Sequence, residues 1–177
     1  MSNNIIPDLD NILALYQYNK DCYKIIKNIQ ETEGDRFFRD TELLYPDKDK
    51  IKAMLENIQK QSDDYYILYL WLTFERFIVD FLLTKGEKLI DIKPEFFADN
   101  FYCKFKEKVE RWPFKEILDL FDQVIDKNLI ASVKQIKDYR DWIAHRNINK
   151  SKPINTDPVR VYDTLTTMVK QILREAI

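Results

Sequence analysis

The only histidine of this chain, His145, lies five residues after Arg140 in the stretch KDYRDWIAHRN, residues 137–147. An imidazole titrates near neutral pH and can take up and return a proton, while a guanidinium can carry charge that develops on a phosphate oxygen. Asp141 stands one helical turn before His145, close enough to bond a ring nitrogen and fix its tautomer. Trp142, three residues before it, can shield the ring from water. The surroundings are basic: between residues 134 and 152, Lys134, Lys137, Arg140, Arg146, Lys150 and Lys152 meet only Asp138 and Asp141. Such a run suits phosphates. A second stretch, FYCKFKEKVERWPFK at 101–115, interleaves cations with aromatic rings in a mixture that can also stack bases. There a solvated helix face over a core stripe is the simpler reading.

Other chemistries lack their residues. One histidine and two distant cysteines, Cys22 and Cys103, cannot assemble a usual zinc site. Gly34 and Gly86 are the only glycines, so no Gly-rich loop can cradle phosphates, and no G-x-S-x-G is present. Glu116, Asp119, Asp122 and Asp126 recur at helical spacing, but no D-x-D or E-x-x-H accompanies them, and a solvated face accounts for the row. No metal or other cofactor is expected. The cysteines suit a reducing cytosol better than a disulfide scaffold, and MSNNIIPDLDN has neither the basic start nor the apolar run of a signal peptide. A cytoplasmic protein is the expectation.

The elements that must position these residues are helices. A chain of 177 residues is most simply one domain, and two glycines are too few for hairpin turns, so an all-α bundle of five to seven helices is expected. Asp8 or Asp10 caps a first helix running to about Gln30, and residues 31–47 have no period and read as a loop. A polar helix follows at 48–61. The segment YYILYLWLTFERFIVDFLL, residues 65–83, is apolar on nearly every side. Glu75, Arg76 and Asp80 in its middle would be costly in hydrocarbon, which points to a buried central helix instead of a membrane span. Gly86 ends it, Pro94 opens a helix at 95–111, and Pro113 starts a short one in PFKEILDLFDQVI. The motif helix covers about Lys127 to Arg146, the loop NINKSKPINTD follows, and a last helix runs from Pro158 to near Glu175.

On the motif helix, Leu129, Val133, Ile136, Arg140 and Ile143 follow a core stripe, which puts a guanidinium where an apolar residue is expected. Glu75, with Leu68, Trp71, Leu72, Ile78, Val79 and Leu82 as helical neighbours, is its mirror image. Each buried charge needs a partner, so a Glu75–Arg140 pair is expected, with Arg76 pointing elsewhere. Arg140 and His145 are about 140° apart around the helix and do not share a face. Either the long arginine stem bends towards the imidazole, or a second copy of the chain brings a facing pair.

Arg140-Asp-Trp-Ile-Ala-His145 resembles the Arg-x4-6-His signature of the HEPN superfamily, including the polar residue directly after the arginine. The context is similar too: the motif closes a long helix, after a strongly apolar helix and before a loop and a last helix. The resemblance covers about residues 50–177 of a single domain spanning 1–177 and leaves residues 1–47 as an N-terminal helix and loop added to the core bundle. It implies a homodimer in which two Arg-His motifs meet in one composite cleft. It also implies a metal-independent endoribonuclease of toxin–antitoxin, abortive-infection or other antiviral defence systems. The partners it implies are RNA, a second copy, and an antitoxin or defence-system protein, with no membrane. The dimer interface expected from it uses the motif helix and the 65–83 helix. A ribose 2′-hydroxyl would attack the neighbouring phosphate, with His145 moving protons, Arg140 stabilising the phosphorane and Asp141 orienting His145. Arg146, Asn147 and Lys137 would bind substrate, and Glu75 would support Arg140. HEPN toxins silenced by a nucleotidyltransferase carry a tyrosine two residues after the histidine; Asn147 stands there, so control by adenylylation of that position is not expected. Two other readings stay open: a non-catalytic HEPN dimerisation or RNA- or ligand-binding module, and a structural bundle whose lone histidine is satisfied.

Overall fold

Three aspartates set the starts of helices. Asp47 Oδ1 accepts the backbone N–H groups of Asp49 and Lys50. Asp126 Oδ1 accepts those of Asn128 and Leu129, and Asp157 Oδ1 those of Val159 and Arg160. Each cap satisfies donors that the first helical turn leaves without a partner, an arrangement worth about 1 kcal/mol apiece. The computed structural model describes residues 8–41, 47–145 and 151–175. These form α1 (Leu9–Phe37), α2 (Lys48–Gly86), a 3-10 turn (Glu87–Asp91), α3 (Glu95–Val109), α4 (Phe114–Asp119), α5 (Lys127–His145) and α6 (Pro158–Glu175). Among the described residues there is no strand, and the chain is an all-α bundle of six helices.

The long α2 is the axis of the bundle. It packs against α1, α3, α5 and α6, while α6 also touches α1 and α5, and α4 lies on α5. Ile67, Leu70, Trp71, Phe74 and Ile78 of α2 are completely buried and meet Ile117 and Leu118 of α4, Val133 and Tyr139 of α5, and Leu165 and Met168 of α6. Burying each such side chain stabilises the fold by about 1.5–3 kcal/mol. Leu9 and Ile12, from the first turns of α1, belong to the same core. In α6 the buried set Val161, Leu165, Met168, Val169 and Ile172 follows the 3.6-residue period, which fixes one face of that helix inward.

Several boundaries differ from the sequence expectation. Helix α1 continues to Phe37, through residues read as a loop, with Phe38 buried just beyond its end. The polar 48–61 and apolar 65–83 segments are one helix of 39 residues, about 58 Å long at 1.5 Å per residue. Among the described residues no helix is long and apolar enough to cross a membrane. The short helix after Pro113 spans only Phe114–Asp119, although Phe121 and Ile125 in the following turns still reach the core. Gly86 ends α2 where expected, and a Cβ there would stand 2.5 Å from the Phe105 ring, so the α3 aromatic rests directly on the glycine backbone.

Candidate active site at the end of helix α5

The buried stripe of α5 is Ile130, Val133, Ile136, Tyr139 and Ile143. Tyr139, and not Arg140, therefore occupies the core position, which corrects the stripe read from the sequence. Its hydroxyl donates to Asp64 Oδ1 of α2 at 2.7 Å, and burial, reinforced by that bond and by the charge of Asp64, pushes its ionisation well above the usual tyrosine range. It stays a neutral donor. Trp142 stacks on the Tyr139 ring, with centroids 5.7 Å apart, and Lys152 Nζ lies 4.7 Å from the centre of that ring.

Displaced by one residue from the stripe, Arg140 sits at the rim with its side chain 26% exposed. Its Nη2 donates to Glu75 Oε2 at 3.0 Å and its Nη1 to Asp141 Oδ1 at 3.0 Å. The expected Glu75–Arg140 pair is present. Glu75 is half-buried, where the sequence suggested full burial, because it lies at the margin of the α2–α5 contact with 28% of its side chain exposed. The same Glu75 oxygen accepts from Trp71 Nε1 at 3.1 Å, and since Trp71 has no exposed surface the carboxylate is anchored from beneath. Arg76 points away, as expected, to Asp80 at 2.5 Å and Glu110 at 3.3 Å. Glu75, Arg76 and Glu110 also line a cavity of about 280 Å³ with Leu72, Val79 and Trp112, whose two acids make it a poor cradle for phosphate.

Asp141 is placed with the cations and not with the histidine. Its Oδ2 accepts from Lys137 at 2.5 Å and its Oδ1 from Arg140, so both oxygens are occupied, and no hydrogen bond to His145 is formed. Burial pushes its carboxyl up, but the bonds from Lys137 and Arg140, with their charges, outweigh burial and hold it below the usual carboxylate range. The stability it contributes is therefore complete above the ordinary aspartate value of 3.8 and is lost as pH falls through the lower folded value. In urea titrations, wild type should lose more stability between pH 5 and pH 3 than Asp141→Asn does. Equal losses in the two proteins would remove the network from this account.

His145, the last residue of α5, is exposed, and its ring hydrogen-bonds to no described residue. Arg146, Asn147 and Lys150 lie outside the described residues. Much of the basic run is already neutralised: Lys134 pairs with Asp119, Lys137 with Asp141, and Arg140 with two acids. In the second run, Lys104 pairs with Glu107, Lys115 with Asp138, and Lys106 sits over Tyr102, as on a solvated face. The acidic row has structural uses, with Glu116 accepting from Trp112, Asp119 pairing with Lys134 and Asp126 capping α5. No family model, curated protein or solved structure matches this chain. What the site offers is thus read from its own atoms: an arginine clamped in place by two carboxylates, and an exposed histidine a turn and a half further along the same helix. Tyr139, Asp64 and Trp71, which the sequence reading left out of the site, hold this arrangement. Trp71 stands one helical turn before Glu75, the one spacing that could have revealed its bond.

Proposed function

We propose that this chain is a HEPN-type, metal-independent endoribonuclease that works as a homodimer in a toxin–antitoxin, abortive-infection or other antiviral defence system. The observation that supports it is the fixed Arg140 guanidinium, partly exposed at the same helix end as the exposed His145. Two of the five guanidinium N–H groups are engaged by Glu75 and Asp141, which leaves donors for a phosphate oxygen. In the reaction the ribose 2′-oxygen bonds to phosphorus and the bond from phosphorus to the 5′-oxygen breaks. His145 carries the proton between them, and Arg140 stabilises the phosphorane. A second copy, packed through α5 and the apolar 65–83 stretch of α2, brings a facing Arg140–His145 pair, because the two residues lie about 140° apart on one helix. Asp141, bound as it is, positions Arg140. Lys137 acts through Asp141, and Arg146 and Asn147 bind the RNA backbone.

A second reading has its own observation. With Asp141 taken up by cations, His145 has no orienting partner among the described residues, as suits a non-catalytic HEPN dimerisation or RNA- or ligand-binding module. An assay separates the two. The ribonuclease cleaves single-stranded RNA at a rate that EDTA leaves unchanged; a protein that dimerises and binds RNA without cutting it is the module.

A further inference from the structure

Between α1 and the first half of α2 lies a cavity of about 460 Å³, within the range usual for small-molecule sites, lined by Leu15, Asn19, Tyr23, Ile58, Gln61, Ser62, Tyr65, Tyr66 and Tyr69. One residue in three of this chain is charged (33%), yet none of the nine lining residues is. Four are tyrosines. The floor is braced: Tyr66 donates to the Leu15 carbonyl at 3.3 Å, Asn19 donates to Tyr66 and Ser62 at 3.4 Å, and Tyr16 packs edge-on against Tyr66 at 5.3 Å. The walls are open by contrast. Tyr65 and Tyr69 are 59% and 51% exposed, and the side chains of Gln61, Tyr23, Tyr65 and Tyr69 hydrogen-bond to no described residue.

We infer that this cavity binds a neutral nucleobase, presented either as a free nucleoside or as an unpaired base of an RNA strand. A planar heteroaromatic ring uses everything the site leaves unspent. Its faces stack on the outward tyrosines, and its edge, which carries both donors and acceptors, meets the Gln61 amide, itself donor and acceptor, and the tyrosine hydroxyls. The uncharged lining leaves phosphate outside the cavity. An aliphatic ligand would strand the amide and hydroxyls, and an ionic one would find no counter-charge among the lining residues. The braced floor keeps the cavity formed before the ligand arrives, which limits the ordering cost of binding. The inference stands on the lining alone and does not depend on the ribonuclease reading.

The test is equilibrium dialysis of the four ribonucleosides, their 5′-monophosphates and an uncleavable all-deoxy tetranucleotide against the full-length protein. At least one nucleoside should bind saturably with a Kd below about 1 mM. Its monophosphate should bind no more than about threefold tighter, since no cation lines the cavity. Tyr69→Ala and Tyr65→Ala should each weaken binding by about 5- to 100-fold, whereas the phenylalanine variants, which keep the stacking face, should lose far less. Both tyrosines are more than half exposed, so these variants fold. A tetranucleotide bound at least as tightly as the nucleoside identifies a strand as the source of the base, and nucleoside binding without strand binding identifies the free molecule. No saturable nucleoside binding, or binding unchanged in both alanine variants, overturns the inference.

Discussion

Replacing His145 with alanine should lower RNA cleavage by about 10²–10⁴-fold, the usual loss when a positioned acid–base group is removed. The position makes this a clean experiment. His145 is exposed at the end of α5 and bonds to no described residue, so its loss leaves the core and the helical content unchanged. Arg140→Ala should abolish cleavage too, but it also strips two carboxylates of their cation and mixes stability with chemistry. The measurement is initial rate on one RNA, with circular dichroism as the control for fold and light scattering as the control for the proposed dimer. Cleavage undiminished in pure His145→Ala protein removes the histidine from the mechanism and the ribonuclease assignment with it.

Glu75→Ala should destabilise the protein by about 2 kcal/mol, because one carboxylate oxygen serves two donors at once. Its removal leaves the indole N–H of the fully buried Trp71 without an acceptor and Arg140 with Asp141 alone. The loss stays below that for breaking a fully buried ion pair, since both charged side chains keep about a quarter of their surface in water. Glu75→Gln retains an oxygen acceptor for either donor and should lose about half as much. Urea denaturation at pH 7 checks both values. A Glu75→Ala protein within about 0.5 kcal/mol of wild type, the range of ordinary surface changes, would mean that the carboxylate is incidental.

The all-helical class and many helix ends were legible because they rest on local chemistry. Gly86 ends α2, and Pro94, Pro113 and Pro158 stand at helix starts, whereas the capping roles of Asp126 and Asp157 appear only in the structure. The Glu75–Arg140 pair was legible from Glu75, a charge among apolar helical neighbours that needs a cation, even though Arg140 stands at the rim beside the α5 stripe and not on it. The continuity of α2 was not. Its first half buries little beyond Ile51 and Leu55 while its second half is enclosed, and that change of surroundings along one helix looks in sequence like two helices. Val133, Ile136 and Ile143 of the expected α5 stripe are buried, but Tyr139 takes the core position assigned to Arg140, because i+3 and i+4 from Ile136 are equally good helical spacings and only the packing chooses between them. Asp141 had three neighbours within reach along the helix. Charge-assisted bonds from Lys137 and Arg140 occupy both of its oxygens, and an i−4 spacing from His145 carries no information about that competition.

The proposed ribonuclease uses the substrate's own 2′-hydroxyl as its nucleophile, and a single atomic change in the RNA removes that group. A short RNA that the protein cleaves at a single position is compared, in EDTA, with the same strand carrying a deoxyribose at the cleaved nucleotide. The RNA should be cut to a fragment ending in a 2′,3′-cyclic phosphate, seen by mass spectrometry, and the substituted strand should stay whole at that position. Cleavage of the deoxy-substituted strand at the same bond, or a product lacking the cyclic phosphate from the outset, would contradict this mechanism.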